Sequence, residues 1–292
     1  MFKFRFNKWY PYLLLSPVLI VLLLLFLGGV ILGFSQSLGY FPVLGLEEFT
    51  LKYYLEVWSS TEFLHSLAFS LFISFVSAIL TTVIGVFFSY QLLKIRNENK
   101  IINFLYKLPI IVPHIIASLM IFLILTQSGI LSRFAYHLGI IDEIAQFPRL
   151  VFDKNGFGII AAYLWKQIPF VVLMVYTVLK QINGSFEAAA KNLGASESQV
   201  FREIYLPLTA PSIASAFIII FAFSLGSFEI PYLLGPTYPQ TLSVLAYKNY
   251  ISLDLTQRPY TMVIAMSLTM ITVILIIIYR KILSLISRYH ID

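Results

Sequence analysis

The sequence predicts an all-α, polytopic membrane protein with six transmembrane helices, and three observations carry that prediction. Of 292 residues, 59% are hydrophobic and only 12% are charged, about half the charged share of a soluble domain. Mean hydropathy is +0.86, so the solvent of this chain is mostly lipid. Apolar runs long enough for a hydrocarbon layer of about 30 Å recur along the chain. The length suits one membrane domain over residues 1–292, with modest loops and no separate soluble catalytic domain. Cysteine is absent, which excludes disulfides, thiolate nucleophiles and cysteine metal sites. The net charge of +6 is a question of which loops hold it, not a nucleic-acid signal.

The elements follow in order. Lys3, Arg5 and Lys8 precede Trp9, Tyr10 and Tyr12. Basic residues followed by aromatics suit a cytoplasmic flank and a headgroup belt. The first span covers about 12–34. A signal peptide is the competing reading, but the run is too long and no small-residue cleavage site follows. Gly29 and Gly33 form a GxxxG pattern, which permits close helix contact but also recurs by chance in apolar runs. Residues 35–62 are an acidic outer segment with Glu47, Glu48, Glu56 and Glu62, apolar enough to lie on the membrane surface. The second span, about 65–93, is long enough to tilt or protrude. An inner loop follows with Lys94, Arg96, Glu98, Lys100 and Lys107.

The third span, about 108–127, opens on Pro109 and Pro113, which the first turns of a helix tolerate. In the next outer loop Ile130, Leu131, Phe134 and Leu138 recur at helical spacing, so a short surface helix is expected. The fourth span, about 157–179, is interrupted at Lys166-Gln167-Ile168-Pro169, and a polar loop over 180–211 follows it. The fifth span, about 212–234, is rich in small residues. Pro236 and Pro239 turn the third outer loop. The sixth span, about 260–279, leads to Arg280, Lys281 and Arg288. Lysines and arginines assigned inside outnumber those outside (Lys52, Arg133, Arg149, Lys154, Lys248, Arg258) by roughly two to one, which places both termini in the cytoplasm.

The polar stretch from Glu187 to Pro207 reads as two short helices around a glycine hinge. Ala188, Ala189 and Ala190 are strong helix formers with almost no side chain, so another protein surface can approach them closely. Gly194 allows the φ > 0 conformation that ends such a helix. Ser196 suits the N-cap of a second helix through Ile204, with Glu197 in its first turn. Leu206-Pro207 is expected to stop it.

This stretch resembles the EAA loop of permease subunits of binding-protein-dependent ABC importers. Gly194, Ile204, Leu206 and Pro207 stand at that loop's spacing; Ala188 takes its glutamate position, so Glu187 falls one residue early. The stretch from Trp165 to Phe170 and the run from Phe228 to Gly235 look like the spermidine/putrescine branch, whose relatives also handle iron(III), thiamine and aminoethylphosphonate. The resemblance implies a type I ABC importer permease fold. It implies ATPase-coupling residues at Glu187, Ala188, Ala189, Ala190, Gly194, Ala195, Ile204, Leu206 and Pro207. It also implies two cytoplasmic ABC ATPases that bind the ATP and Mg, a second permease subunit, and an external solute-binding protein. The setting it implies is a bacterial plasma or inner membrane.

The chain's own chemistry is sparse. No GxxxxGK[ST] loop is present, so ATP is not bound here by that route. His65, His114, His137 and His290 are scattered without metal spacing. Lys166 sits deep in its span, where a lysine must face the bundle interior or water and find a partner, unless it snorkels to the headgroups. By depth, the expected partner is Glu229 of the fifth span. Pro169 frees a backbone carbonyl, tolerated where it lines a cavity, although taken alone it reads rather more readily as an ordinary kinked helix. With Gln167 and Pro231, these residues mark an expected translocation path between the fourth and fifth spans. The aromatic residues read mainly as lipid-facing and belt positions. An ATP-independent carrier would show paired broken helices in inverted repeats, and a membrane transferase would show clustered Asp or His; neither pattern is found.

Overall fold

The computed structural model describes residues 10–95, 100–182 and 184–288. The expected flank of Lys3, Arg5, Lys8 and Trp9 lies outside the described residues, as do Arg96, Glu98 and His290. Among the described residues, 6 helical stretches are long and apolar enough to cross a membrane. The described chain divides into two compact units: the stretch up to Ser60 with Ala246–Ser267, and Thr61–Leu245 with the stretch from Leu268 onward.

In the first unit, α1 (Tyr10–Ser37) is the first span. Only 6% of its most apolar window is buried. A Cβ added at Gly33 would meet Met266 and Met262, whereas among the described residues none lies within 4 Å of one added at Gly29, so one half of the GxxxG pattern makes a close contact. The outer segment carries α2 (Lys52–Ser59). Ser37 and Tyr54 share a hydrogen bond of 2.9 Å, and the Trp58 indole donates to Ser267 Oγ at 2.9 Å. The Tyr260 hydroxyl donates to Glu56 at 2.6 Å.

The second unit is built on α3 (Thr61–Lys94), which carries the second span. One stripe of it is small and polar: Ser66, Ser70, Ser74, Ser77, Thr81 and Ser89 are all buried. Lipid tails are as apolar as a leucine side chain, so helices in a bilayer associate through close packing of small residues. Some of these hydroxyls bond locally, Ser77 to the Ile73 carbonyl at 2.6 Å and Ser89 to that of Gly85 at 2.7 Å, whereas Ser66 Oγ and Thr81 Oγ1 find no partner among the described residues. α4 (Lys100–Leu105) then leads toward the third span.

That span is two pieces rather than the single helix expected over 108–127. α5 (Leu108–Ile111) stops at an extended Val112, and α6 (His114–Leu125) starts after Pro113. Proline disfavours helical geometry in the residue before it and donates no N–H. α7 (Ile130–His137) is the short helix expected from its apolar spacing. α8 (Phe157–Leu179) forms the fourth span and runs unbroken through Pro169, so the interruption expected there is absent.

α9 (Gly184–Asn192) and α10 (Glu197–Val200) are the two short helices of the polar stretch. Leu206-Pro207 does not stop the second one. A π-helical turn at Phe201–Tyr205 joins α10 to α11 (Leu206–Gly226), with Leu206 N–H bonded to the Phe201 carbonyl five residues back. The wider π turn accommodates the ring and missing donor of Pro207. The fifth span therefore starts well before residue 212 and ends at Gly226. An extended Ser227 separates it from α12 (Glu229–Leu234), which the sequence had joined to it. α13 (Leu242–Tyr250) and α14 (Arg258–Arg288), the sixth span, complete the chain.

Candidate functional site

The polar stretch folds from its own local signals. Gly194 has φ +86°. Ala195 N–H reaches back to the Ala190 carbonyl at 3.0 Å and Gly194 N–H to that of Lys191 at 3.0 Å, the paired bonds of a Schellman end. Ser196 then caps α10 in a reciprocal box with Gln199, at 3.3 Å and 2.8 Å. Ser196→Ala is expected to destabilise this turn by about 1 kcal/mol, read as faster amide exchange at Gln199.

Exposure sorts the predicted coupling residues. Ala188, Ala189, Gly194 and Leu206 are exposed, while Ala190, Ala195, Ile204 and Pro207 are half-buried. Ala190, Ala195 and Ile204 pack on a core of Val200, Tyr205, Val175 and Leu179. Leu193, which sequence reasoning passed over, is 90% exposed.

Glu187 turns inward. It accepts from the Tyr205 hydroxyl at 2.6 Å and from Lys191 Nζ at 2.7 Å. The Lys191 ammonium first, and the Tyr205 hydroxyl second, hold its carboxyl below the usual glutamate range. The contribution of this brace is present above the ordinary glutamate pKa and is lost as pH falls through the lowered one. Lys94, at the end of α3, meets Glu197 at 2.5 Å, and the Tyr90 ring lies 4.6 Å from that of Phe201. Tyr90, Lys94, Glu187, Ala188, Lys191 and Tyr205 line a polar recess of about 560 Å³. Tyr205 stands 18 residues from Glu187, beyond any spacing rule of a single helix.

Of the expected path residues, only Lys166 and Gln167 share one cavity. Lys166, Gln167 and Pro169 are buried, as is Pro231, while Glu229 is exposed. Lys166 does not pair with Glu229. Its ammonium donates to the backbone carbonyls of Pro109 at 2.6 Å and Val112 at 2.5 Å, with that of Ile110 at 3.5 Å. The break in the third span presents these acceptors next to the lysine. Glu229 instead lies 3.9 Å from His114, whose ring packs on Phe223. Gln167 Nε2 donates to Ser224 Oγ at 2.7 Å. His114, Lys166, Gln167, Phe170 and Phe223 line a cavity of about 190 Å³. No helical periodicity marks these partners, since all come from other spans.

Residues 82–288 match the family of binding-protein-dependent transport system inner membrane components, over more than half of the chain. The chain belongs to that family. The inner membrane ABC transporter permease protein YdcU of Escherichia coli (strain K12) is 33% identical over 120 residues, covering 39% of this chain and 38% of that one. The ferric transport system permease protein FbpB of Actinobacillus pleuropneumoniae is 30% identical over 193 residues, covering 65% and 26%. The chain thus spans well under half the length of these two relatives. The spermidine/putrescine permease protein PotB of Haemophilus influenzae (strain ATCC 51907 / DSM 11121 / KW20 / Rd) is 26% identical over 223 residues, covering 75% and 74%. Among solved structures, a bacterial ABC transporter involved in alginate import superposes with a TM-score of 0.77 at 17% identity, over 95% of this chain and 96% of that one. The fold of this inner membrane component is therefore that of ABC importer permeases. Its family supplies membrane components of transport systems, not enzymes.

Proposed function

We propose that this family member is the permease subunit of an ATP-driven importer, with both termini and the α9–α10 stretch in the cytoplasm of a bacterial cell. The observation that carries this reading is the braced coupling stretch. An exposed face at Ala188 and Ala189 ends in a left-handed Gly194, and the Glu187–Tyr205 bond fixes it to the base of the fifth span. Small residues let a partner surface approach closely, and the continuous helix beyond Pro207 passes its displacement into the membrane. The subunit contributes differential contact between two states, not chemistry. In this reading two cytoplasmic ATPases bind ATP and Mg, a related second permease completes the path, and an external binding protein delivers solute. Lys166, Gln167, Pro169, Glu229 and Pro231 form or support the path.

For the solute we propose a polyamine or a similar small charged molecule. The likeness of Trp165–Phe170 and Phe228–Gly235 to the spermidine/putrescine branch supports it, as does the coverage of PotB. The ferric and sulfate permeases among the relatives keep iron(III) and oxyanions as the competing solutes, with thiamine and aminoethylphosphonate from the same branch. Affinity purification of the full chain from its native membrane tests the importer. A stoichiometric cytoplasmic ATPase is the expected result; its absence would favour an ATP-independent carrier.

A further inference from the structure

In an unbroken helix the Pro109 carbonyl would take its hydrogen from the residue four positions on. That residue is Pro113, which has none. Val112 is extended, with ψ 128°, so its carbonyl also leaves the α5 ladder. An unmatched carbonyl is costly where no water can reach it. Both carbonyls receive the Lys166 ammonium instead, at 2.6 Å and 2.5 Å, and Lys166 is only 7% exposed. The missing donor is thus replaced from another span.

That other span leads toward the coupling stretch. Beyond Leu179, the N–H groups of Lys180, Gln181 and Ile182 continue bonding back onto the end of α8, and α9 opens at Gly184. We infer that Lys166 is a positioning residue for transport: it ties α8, which carries displacement of α9, to the break in the third span. This rests on the importer reading. It assigns the lysine to the protein's own backbone and not to the solute, because both of its short bonds go to carbonyls that the break leaves without a donor. His114, the first residue after the break, stands beside Glu229, so movement of the break repositions the exposed carboxylate.

This chain has no cysteine, so with partners made cysteine-free the labels report only the introduced positions. In the complete complex, spin labels on Ile111→Cys and, separately, Leu193→Cys are each paired with a label on Val83→Cys; all three positions are exposed. ATP with Mg is added. In the otherwise unmutated chain both distances should shift. With Lys166→Met the Ile111 shift should be lost and the Leu193 shift kept, while Lys166→Arg keeps both. Persistence of the Ile111 shift in Lys166→Met would overturn the tie. If Lys166→Met does not assemble, Pro113→Ala in the same chain restores the backbone donor and should restore assembly without the shift. A double variant that still fails to assemble means that Lys166 holds something other than these carbonyls, and the inference falls. No ATPase in the purified complex, or no response at either site in the unmutated chain, would count against the importer reading itself and remove the tie with it.

Discussion

Gly85→Leu is expected to abolish the folded protein. A Cβ added at Gly85 would lie 2.6 Å from both Cβ and Cγ1 of Val171, and Val171 is completely buried. Those atoms sit on a short, β-branched side chain with no free end to swing aside. Overpacking typically costs about 1–3 kcal/mol. A leucine here adds three further carbons against the same wall, so α3 and α8 must separate. Total stability of a domain is only about 5–15 kcal/mol, and the buried serine stripe on α3 depends on the same approach. Gly85→Ala should lower the melting temperature in detergent, and Gly85→Leu should leave no monodisperse protein to melt. The double variant Gly85→Ala, Val171→Ala should recover most of the single alanine's loss; if it does not, this contact is not what holds the two spans together.

The second large effect is expected in the coupling stretch, where Gly194→Val and Glu187→Ala should both uncouple transport for different reasons. Among the described residues nothing lies within 4 Å of a Cβ added at Gly194, so the cost there is conformational. A side chain at φ +86° is disfavoured by roughly 1–2 kcal/mol, and a β-branched one is the poorest choice. The Schellman end should fray and α9 should lose its fixed direction. Glu187→Ala removes the brace and leaves the Tyr205 hydroxyl unmatched; a lost bond of this kind is worth about 1 kcal/mol. Tyr205→Phe should reproduce that loss, and the double variant should cost little more than either single one. Solute-stimulated ATP hydrolysis in the reconstituted complex is the measurement. Additive losses from Glu187→Ala and Tyr205→Phe would show that Glu187 acts on something other than Tyr205.

These two cases mark what could be read from the residues alone and what could not. Span positions were legible because lipid imposes length and apolarity on every crossing segment, so α8 falls where hydropathy puts it. The Gly194 end and the Ser196 cap were legible because both are settled within about one turn of chain. The course of the backbone at its prolines was not. Pro113 breaks a helix and Pro169 does not, while Pro207 follows a π turn; the outcome is decided by packing between spans, which local sequence does not encode. Lys166 was legible as a residue in need of a partner. Which partner depended on the break at Val112, and that break put carbonyls nearer than Glu229. The role of Glu187 was hidden for a related reason: its offset looked like a departure from a motif, whereas Tyr205 reaches it from the start of the next span.

The join at Phe201–Tyr205 has a mechanical consequence. Because the π turn continues the helix where a stop was expected, Glu197–Gly226 is one stretch of 30 residues. At 1.5 Å per residue such a rod is about 45 Å long, so a tilt of about 10° around its midpoint moves each end by about 4 Å. A lever of that length needs little rotation at the capped end to displace the other by more than the width of an atom. Its far end is Gly226, next to the extended Ser227 and the Glu229 helix. The segment at that tip is anchored through Ile230 and Leu234, both completely buried, so a displacement of Gly226 is handed to a packed helix that carries the exposed carboxylate and is not lost in a loose loop.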